Sequence, residues 1–284
     1  MISEIRNINL RDGEQLHAQI IENGSPLWLI VTHGLGEHSG RHKHFFELYS
    51  QYFNILVYDL RGHGKSSGKK GWVNQFEDYA DDLVEVVKYL QDEFQMKRYI
   101  VFGHSMGGLI TSSFMQKKAP SILYPEKVIL SSPAVSAAGV FGKLFKISPF
   151  RLTRFLSTFP LSVPIAGLLD IKKLSHDALV YEEYVKDPLN TLNIHTHLFF
   201  QLIQEAREVF AKPLNISCEL NVIIGTGDVL VGAPQCIDYF SKVEKNANLQ
   251  VVENGYHELH NEIEKYRKPF MDFLRSSLLG EESV

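Results

Sequence analysis

Apolar residues along this chain fall into short unbroken runs, separated by longer stretches with helical spacing. The runs are Leu27–Thr32 (LWLIVT), 55–58 (ILVY), 99–102 (YIVF), 128–130 (VIL), 220–224 (LNVII) and 249–252 (LQVV). Strands covered on both faces read this way, because neither side meets water. Two earlier strands, around residues 4–10 and 15–21, form an antiparallel hairpin turning at Asp12-Gly13. Between the runs, Tyr79, Leu83, Val86, Val87 and Leu90 recur at helical spacing, with Asp81, Asp82, Glu85 and Lys88 assigned to the outer face. Further helices are expected over 106–118, 233–243 and 263–279. Such alternation predicts an α/β fold: a mostly parallel eight-stranded sheet with helices on both faces. Residues 133–213 break the rhythm and offer no convincing sheet strand. They read as an inserted helical lid between two pieces of one core, 1–132 and 214–284.

Composition narrows the class. The 284 residues are 44% hydrophobic and 22% charged, which supports a full core and excludes disorder. A net charge of -4 and the lack of any long Lys/Arg run give no footing for nucleic acid as a partner. Cys218 and Cys236 are isolated and read as buried thiols in a reducing compartment, with a disulfide the lesser alternative. The opening MISEIRNINL lacks the apolar region of a secretory signal, and no run of about 18 apolar residues exists to span a bilayer. The expectation is a cytoplasmic protein.

The chemistry starts at Gly103-His104-Ser105-Met106-Gly107, a G-x-S-x-G pattern between the YIVF strand and a helix. Functional groups of an open α/β sheet collect at the carboxyl ends of strands. A serine on a sharp strand-to-helix turn is pushed out at the sheet top, and small neighbours permit the close approach that turn requires. The alternative is an ordinary glycine turn with a capping serine. A serine hydroxyl needs a base, and the base needs an orienting acid. In this fold class the acid follows the serine and the histidine comes last. Of Asp170, Asp177, Asp187, Asp228 and Asp238, only Asp228 directly follows an apolar strand (VIIGTGDVLV). After the LQVV strand comes ENGYHELH, which offers His257 as base, with His260 as a contender. The HELH spacing is i, i+3 rather than the i, i+4 of H-E-x-x-H, so no metal site is read there. GHGKSSG fails as a phosphate loop because Asp59 stands where a glycine is needed, and GLGEHSG places its third glycine one residue late for a dinucleotide fingerprint. No cofactor is called for. An oxyanion would be held by two backbone N–H groups, Met106 after the nucleophile and Leu35 in the loop VTHGLGEHSGR.

Taken together, HGLGEHSGRH (33–42), YDLRGHGKSSG (58–68), GHSMGG (103–108), GTGDVLV (225–231) and YHELHNE (256–262) resemble monoacylglycerol lipases and related lysophospholipases of the α/β-hydrolase fold. The resemblance implies Ser105, Asp228 and His257 as a triad and Leu35 and Met106 as oxyanion donors. It further implies that Glu37, Arg41 and His260 lie near the polar glycerol end of the substrate. The family often has a smaller residue where Leu35 stands, so a narrower pocket is expected here. Implied, then, is a serine hydrolase cleaving monoacylglycerol esters through an acyl-enzyme. A lysophospholipase, a general carboxylesterase and a non-catalytic lipid-binding protein on the same fold stay open as alternatives.

Within the insertion, residues 135–169 carry no Asp or Glu but do carry Lys143, Lys146, Arg151 and Arg154. Ser148-Pro149 starts a helix in which Leu152, Phe155, Leu156 and Phe159 form one apolar stripe. Two uses compete: lining an acyl pocket, or docking transiently on anionic lipid. Leu198, Phe199, Leu202 and Ile203 predict a second lid helix facing the site.

Overall fold

A computed structural model describes residues 3–136, 156, 158, 162–167 and 170–280. Its strands are β1 (Glu4–Asn9), β2 (Gln15–Ile21), β3 (Leu27–Thr32), β4 (Asn54–Tyr58), β5 (Arg98–His104), β6 (Lys127–Ser131), β7 (Pro164–Ala166), β8 (Asn193–His195), β9 (Glu219–Gly225) and β10 (Ala247–Val252). Eight of them form one sheet in the order β1-β2-β4-β3-β5-β6-β9-β10. Only β2 breaks the parallel arrangement, pairing antiparallel with both β1 and β4. The hairpin between β1 and β2 closes where Gly13 takes a φ of +90°.

The unbroken apolar runs have the cause the pattern suggests. Every residue of β4 is buried, and its side chains alternate between two cores. Leu56 and Tyr58 join the layer packed with Val86, Leu109 and Ile110, while Ile55 and Val57 join the layer of Phe45, Phe102 and Phe270. Burying each such side chain contributes about 1.5–3 kcal/mol. The helices are α1 (His44–Tyr49), α2 (Glu77–Phe94), α3 (Met106–Lys117), α4 (Ala178–Lys186), α5 (Thr196–Val209), α6 (Ala233–Asp238) and α7 (Glu264–Leu279).

The structure corrects four readings. Asp82 does not face away on α2: it is 2% exposed and accepts two hydrogen bonds from Arg61, at 2.7 and 2.5 Å. It lies three residues after Tyr79 and four before Val86, on the buried stripe, where only a paired carboxylate is tolerable. The helix expected over 233–243 is α6 followed by a wider π turn, Tyr239–Val243. Residues 133–213 do contain strand structure, the small antiparallel pair β7–β8, apart from the main sheet. Cys236 is buried but Cys218 is only half-buried, and both are free thiols.

In the insertion, Leu198, Phe199, Leu202 and Ile203 form the buried face of α5. Leu156 packs against the main core. The rest of the stripe expected after Ser148-Pro149 (Leu152, Phe155, Phe159) lies outside the described residues, as do Lys143, Lys146, Arg151 and Arg154. Among the described residues no helix is long and apolar enough to cross a membrane.

Candidate active site

The chain runs from β3 to β4 on one side and then to β5 on the other. The loops after β3 and β5 therefore diverge above the sheet and leave a crevice there, the usual location of an α/β site. Ser105 stands between the end of β5 and the start of α3 with φ +54° and ψ -118°, a conformation that non-glycine residues rarely adopt. Its backbone N–H donates to the Ser131 carbonyl at 2.9 Å, and its own carbonyl accepts from Ala134 at 3.0 Å. The glycines around it are needed for space. A Cβ on Gly107 would strike the Thr32 and His33 carbonyls, and one on Gly103 would meet Gly107 O at 2.5 Å. One on Gly108 would reach Pro133 Cβ at 2.8 Å. The turn is tight because three strand ends and a helix start share this volume.

Ser105, Asp228 and His257 converge there. His257 Nε2 lies 2.8 Å from Ser105 Oγ, and His257 Nδ1 lies 2.6 Å from Asp228 Oδ2. Asp228 sits in the turn after β9, and its Oδ1 accepts from the N–H groups of Leu230 (2.8 Å) and Val231 (3.2 Å). The His257 carbonyl accepts from Ser132 Oγ at 3.0 Å. Burial of the imidazole pulls its pKa down, but the Asp228 carboxylate outweighs burial and leaves it above the usual 6.5.

Leu35 follows Gly34 in the loop after β3. Met106 opens α3, where leading N–H groups have no partner within the helix. The loop presses on the elbow: a Cβ on Gly34 would lie 3.0 Å from Ser105 Cβ. Glu37 is almost fully buried, and its Oε1 accepts from the Gly34 N–H at 2.5 Å and contacts His42 Nε2 at 3.1 Å. Burial disfavours its charge, yet the neighbouring His42 prevails and the carboxyl sits well below its usual range. Arg41 forms ion pairs with Glu258 and, at 3.5 Å, with Glu37. Glu37 and Arg41 thus meet beneath the loop that carries Leu35. His260 is buried beside His42, His44 and His104, with ring centroids 4.9, 5.2 and 5.1 Å away. Neither His260 ring nitrogen has a protein hydrogen-bond partner among the described residues. Burial holds His104 and His260 well below the usual histidine range, and His44 at about 3, so these three rings are neutral. No group of side chains among the described residues has the arrangement to hold a metal ion.

The fold and this crevice define an α/β hydrolase. The chain belongs to the family described as serine aminopeptidase, S33, whose model matches residues 27–264. It is 27% identical over 247 residues to the monoacylglycerol lipase of Mycolicibacterium smegmatis, covering 84% of this chain and 83% of that protein. It is 26% identical over 272 residues to an uncharacterized abhydrolase domain-containing protein of Dictyostelium discoideum. That match covers 93% of this chain but spans only 28% of the length of the relative. Among solved structures, the monoacylglycerol lipase of Paleococcus ferrophilus superposes with a TM-score of 0.79 at 23% identity. The alignment covers 94% of this chain and 99% of that one.

Sequence reasoning missed Ser132, which steadies the His257 backbone, and the histidines packed around His260. The signal for the latter was present: HGLGEHSGRHKH holds four histidines in twelve residues. Such density at a strand end is unusual for a solvated loop.

Proposed function

We propose that this hydrolase cleaves the carboxylic ester of monoacylglycerols through an acyl-enzyme. Residues 133–213 act as the cap over the site in this reading. Ser105 Oγ attacks the ester carbonyl while His257 Nε2 takes its proton, and Asp228 orients the imidazole and stabilises its charged form. The N–H groups of Leu35 and Met106 receive the oxyanion. His257 then protonates the departing glycerol, and water repeats the sequence on the acyl-enzyme. The observation that carries the reading is the continuous hydrogen-bonded line from Ser105 through His257 to Asp228.

An aminopeptidase reading, suggested by the family description, is less well supported by the charges. A site for a free amino terminus needs an available carboxylate. Around this crevice Glu258 is ion-paired with Arg41, while the oxygens of Asp187 and Glu262 are taken by hydrogen bonds with His38, Leu189, His176 and Tyr256. Glu37 is enclosed as described above. The carboxylates of this wall are satisfied internally, which favours an uncharged head group.

Labelling with a fluorophosphonate, together with hydrolysis of 1-monooleoylglycerol, tests the proposal. Wild type should label and turn over, and Ser105→Ala should lose the label and roughly 10⁶-fold in rate. A panel adding lysophosphatidylcholine, a short aryl ester and an aminoacyl anilide sets the substrate class. Preference for the anilide, or Ser105-independent turnover, defeats the reading.

A further inference from the structure

We infer that residues 174–191 of the insertion set the spacing between the loop carrying Leu35 and the loop carrying His257, with Asp187 and His176 as positioning residues. The inference rests on the proposed roles of Ser105, His257 and the Leu35 loop.

One end of this segment holds the Leu35 loop. The Thr191 N–H donates to the Gly36 carbonyl at 2.7 Å. Gly36 has φ +77°, and a Cβ there would meet both Thr191 O and the Tyr184 hydroxyl at 2.9 Å, so the insertion lies directly on the loop backbone. His38 Nε2 contacts Asp187 Oδ2 at 2.9 Å. His38 Nδ1 accepts the Gly40 N–H at 3.2 Å, which places the ring proton on Nε2. A neutral His38 therefore donates to Asp187 while capping its own turn. Asp187 is fixed in return, since its Oδ1 accepts the Leu189 N–H at 2.9 Å. The Arg41 guanidinium rests 4.8 Å over the Tyr184 ring.

The other end holds the His257 loop. The Leu174 carbonyl accepts the N–H of Glu258, the residue after His257, at 2.8 Å. Ser175 Oγ donates to the Asn261 carbonyl at 2.9 Å. His176 Nδ1 contacts Glu262 Oε1 at 2.7 Å, and that same oxygen accepts the Tyr256 N–H at 2.9 Å. The His176 ring stacks on Tyr256 with centroids 3.6 Å apart. Tyr256 and Glu258 flank the base, so both neighbours of His257 are tied directly to this segment, Glu258 by its backbone and Tyr256 by its ring, with Glu262 adding a second link to Tyr256.

Ser105 is anchored in the sheet itself. The base loop and the oxyanion loop each touch the sheet ends too, at Ser132 and at the Ser105 elbow, and the α4 segment adds the bridge that joins one loop to the other. Catalytic geometry of this kind tolerates little error: a displacement near 1 Å costs up to about 100-fold.

The test compares wild type, Asp187→Ala and Asp187→Asn by steady-state kinetics on 1-monooleoylglycerol and by amide hydrogen exchange of the peptide covering 33–42. Asp187→Ala should lower kcat about tenfold with KM within twofold, and should speed exchange in 33–42. Asp187→Asn keeps one acceptor oxygen for two donors, the His38 and Leu189 N–H groups, and should recover part of both losses. Unchanged kcat and exchange in Asp187→Ala overturn the inference. So does a loss that tracks a general fall in Tm and that Asn does not recover. If wild type turns over no ester, the functional reading fails, and the exchange measurement alone still decides whether Asp187 orders the loop.

Discussion

The turn around Ser105 and the segment 174–191 both hold parts of one crevice, by different physical means. At the turn, backbone packs on backbone. Gly107 lies so close to the Thr32 and His33 carbonyls that even a methyl group has no room. In the segment, the ties are largely side-chain hydrogen bonds and stacked rings at partial exposure, such as His38 with Asp187 and His176 with Tyr256. Backbone packing fixes position absolutely and forbids variation. Polar side-chain ties fix position adequately and can be retuned by substitution. The serine thus belongs to the rigid half of the site, and the groups proposed as base and oxyanion donor, which also touch the sheet ends, are further steadied by the tunable half.

The largest expected effect probes the rigid half without disturbing its packing. Asp228→Asn keeps the shape of the turn but removes the charge facing His257 Nδ1, and kcat should fall roughly 10⁴-fold. In the proposed mechanism His257 can take a proton only when neutral. Its raised pKa means that kcat/KM should decline as pH falls through a midpoint above 6.5. Asp228→Asn removes the main cause of that rise and should move the midpoint down. A pH–rate profile whose acid limb stays put in the variant would show that Asp228 does not govern the base.

Next in size is a charge pair inside the core. Arg61 grips the buried Asp82 with two hydrogen bonds and ties the β4–α2 turn to α2. Burial pushes the Asp82 carboxyl up to about 7 even beside Arg61, so Arg61→Ala leaves it protonated and short of its hydrogen-bond partner, which should cost about 1–3 kcal/mol in urea unfolding. The insertion's exposed Lys186–Glu182 pair is the control, because Lys186→Ala should cost less than about 0.5 kcal/mol. Equal losses would erase the distinction between the two regions.

The same distinction explains what could be read in advance. The run LWLIVT is β3 to the residue, since a strand buried on both faces leaves no polar position to blur its ends. The G-x-S-x-G turn was legible because its glycines answer to steric demands that act within a few residues. Asp82 was misread because its partner, Arg61, is 21 residues away, although its place on the stripe of Tyr79 and Val86 marks it as buried. The bond between His38 and Asp187 spans 149 positions, and nothing local in either sequence announces it. Contacts made by side chains across the insertion follow from tertiary packing, which periodicity does not encode.

The smallest effect on stability concerns the outer surface of the insertion. Val163 and Leu179 are each 61% exposed, and Val185, Leu192 and Ile165 are also exposed there. Apolar side chains this exposed contribute little to folding, so Val163→Ser and Leu179→Ser should each change unfolding free energy by less than about 0.5 kcal/mol. Their expected effect lies in how substrate is delivered. The double variant should slow hydrolysis of monooleoylglycerol carried in anionic phosphatidylserine vesicles at least about threefold, while leaving a dissolved short ester unaffected. Equal losses on both substrates would place these side chains in the packing that supports the crevice. A loss confined to vesicles would assign the outer face of the insertion to the lipid surface and its inner face to the spacing of the two loops.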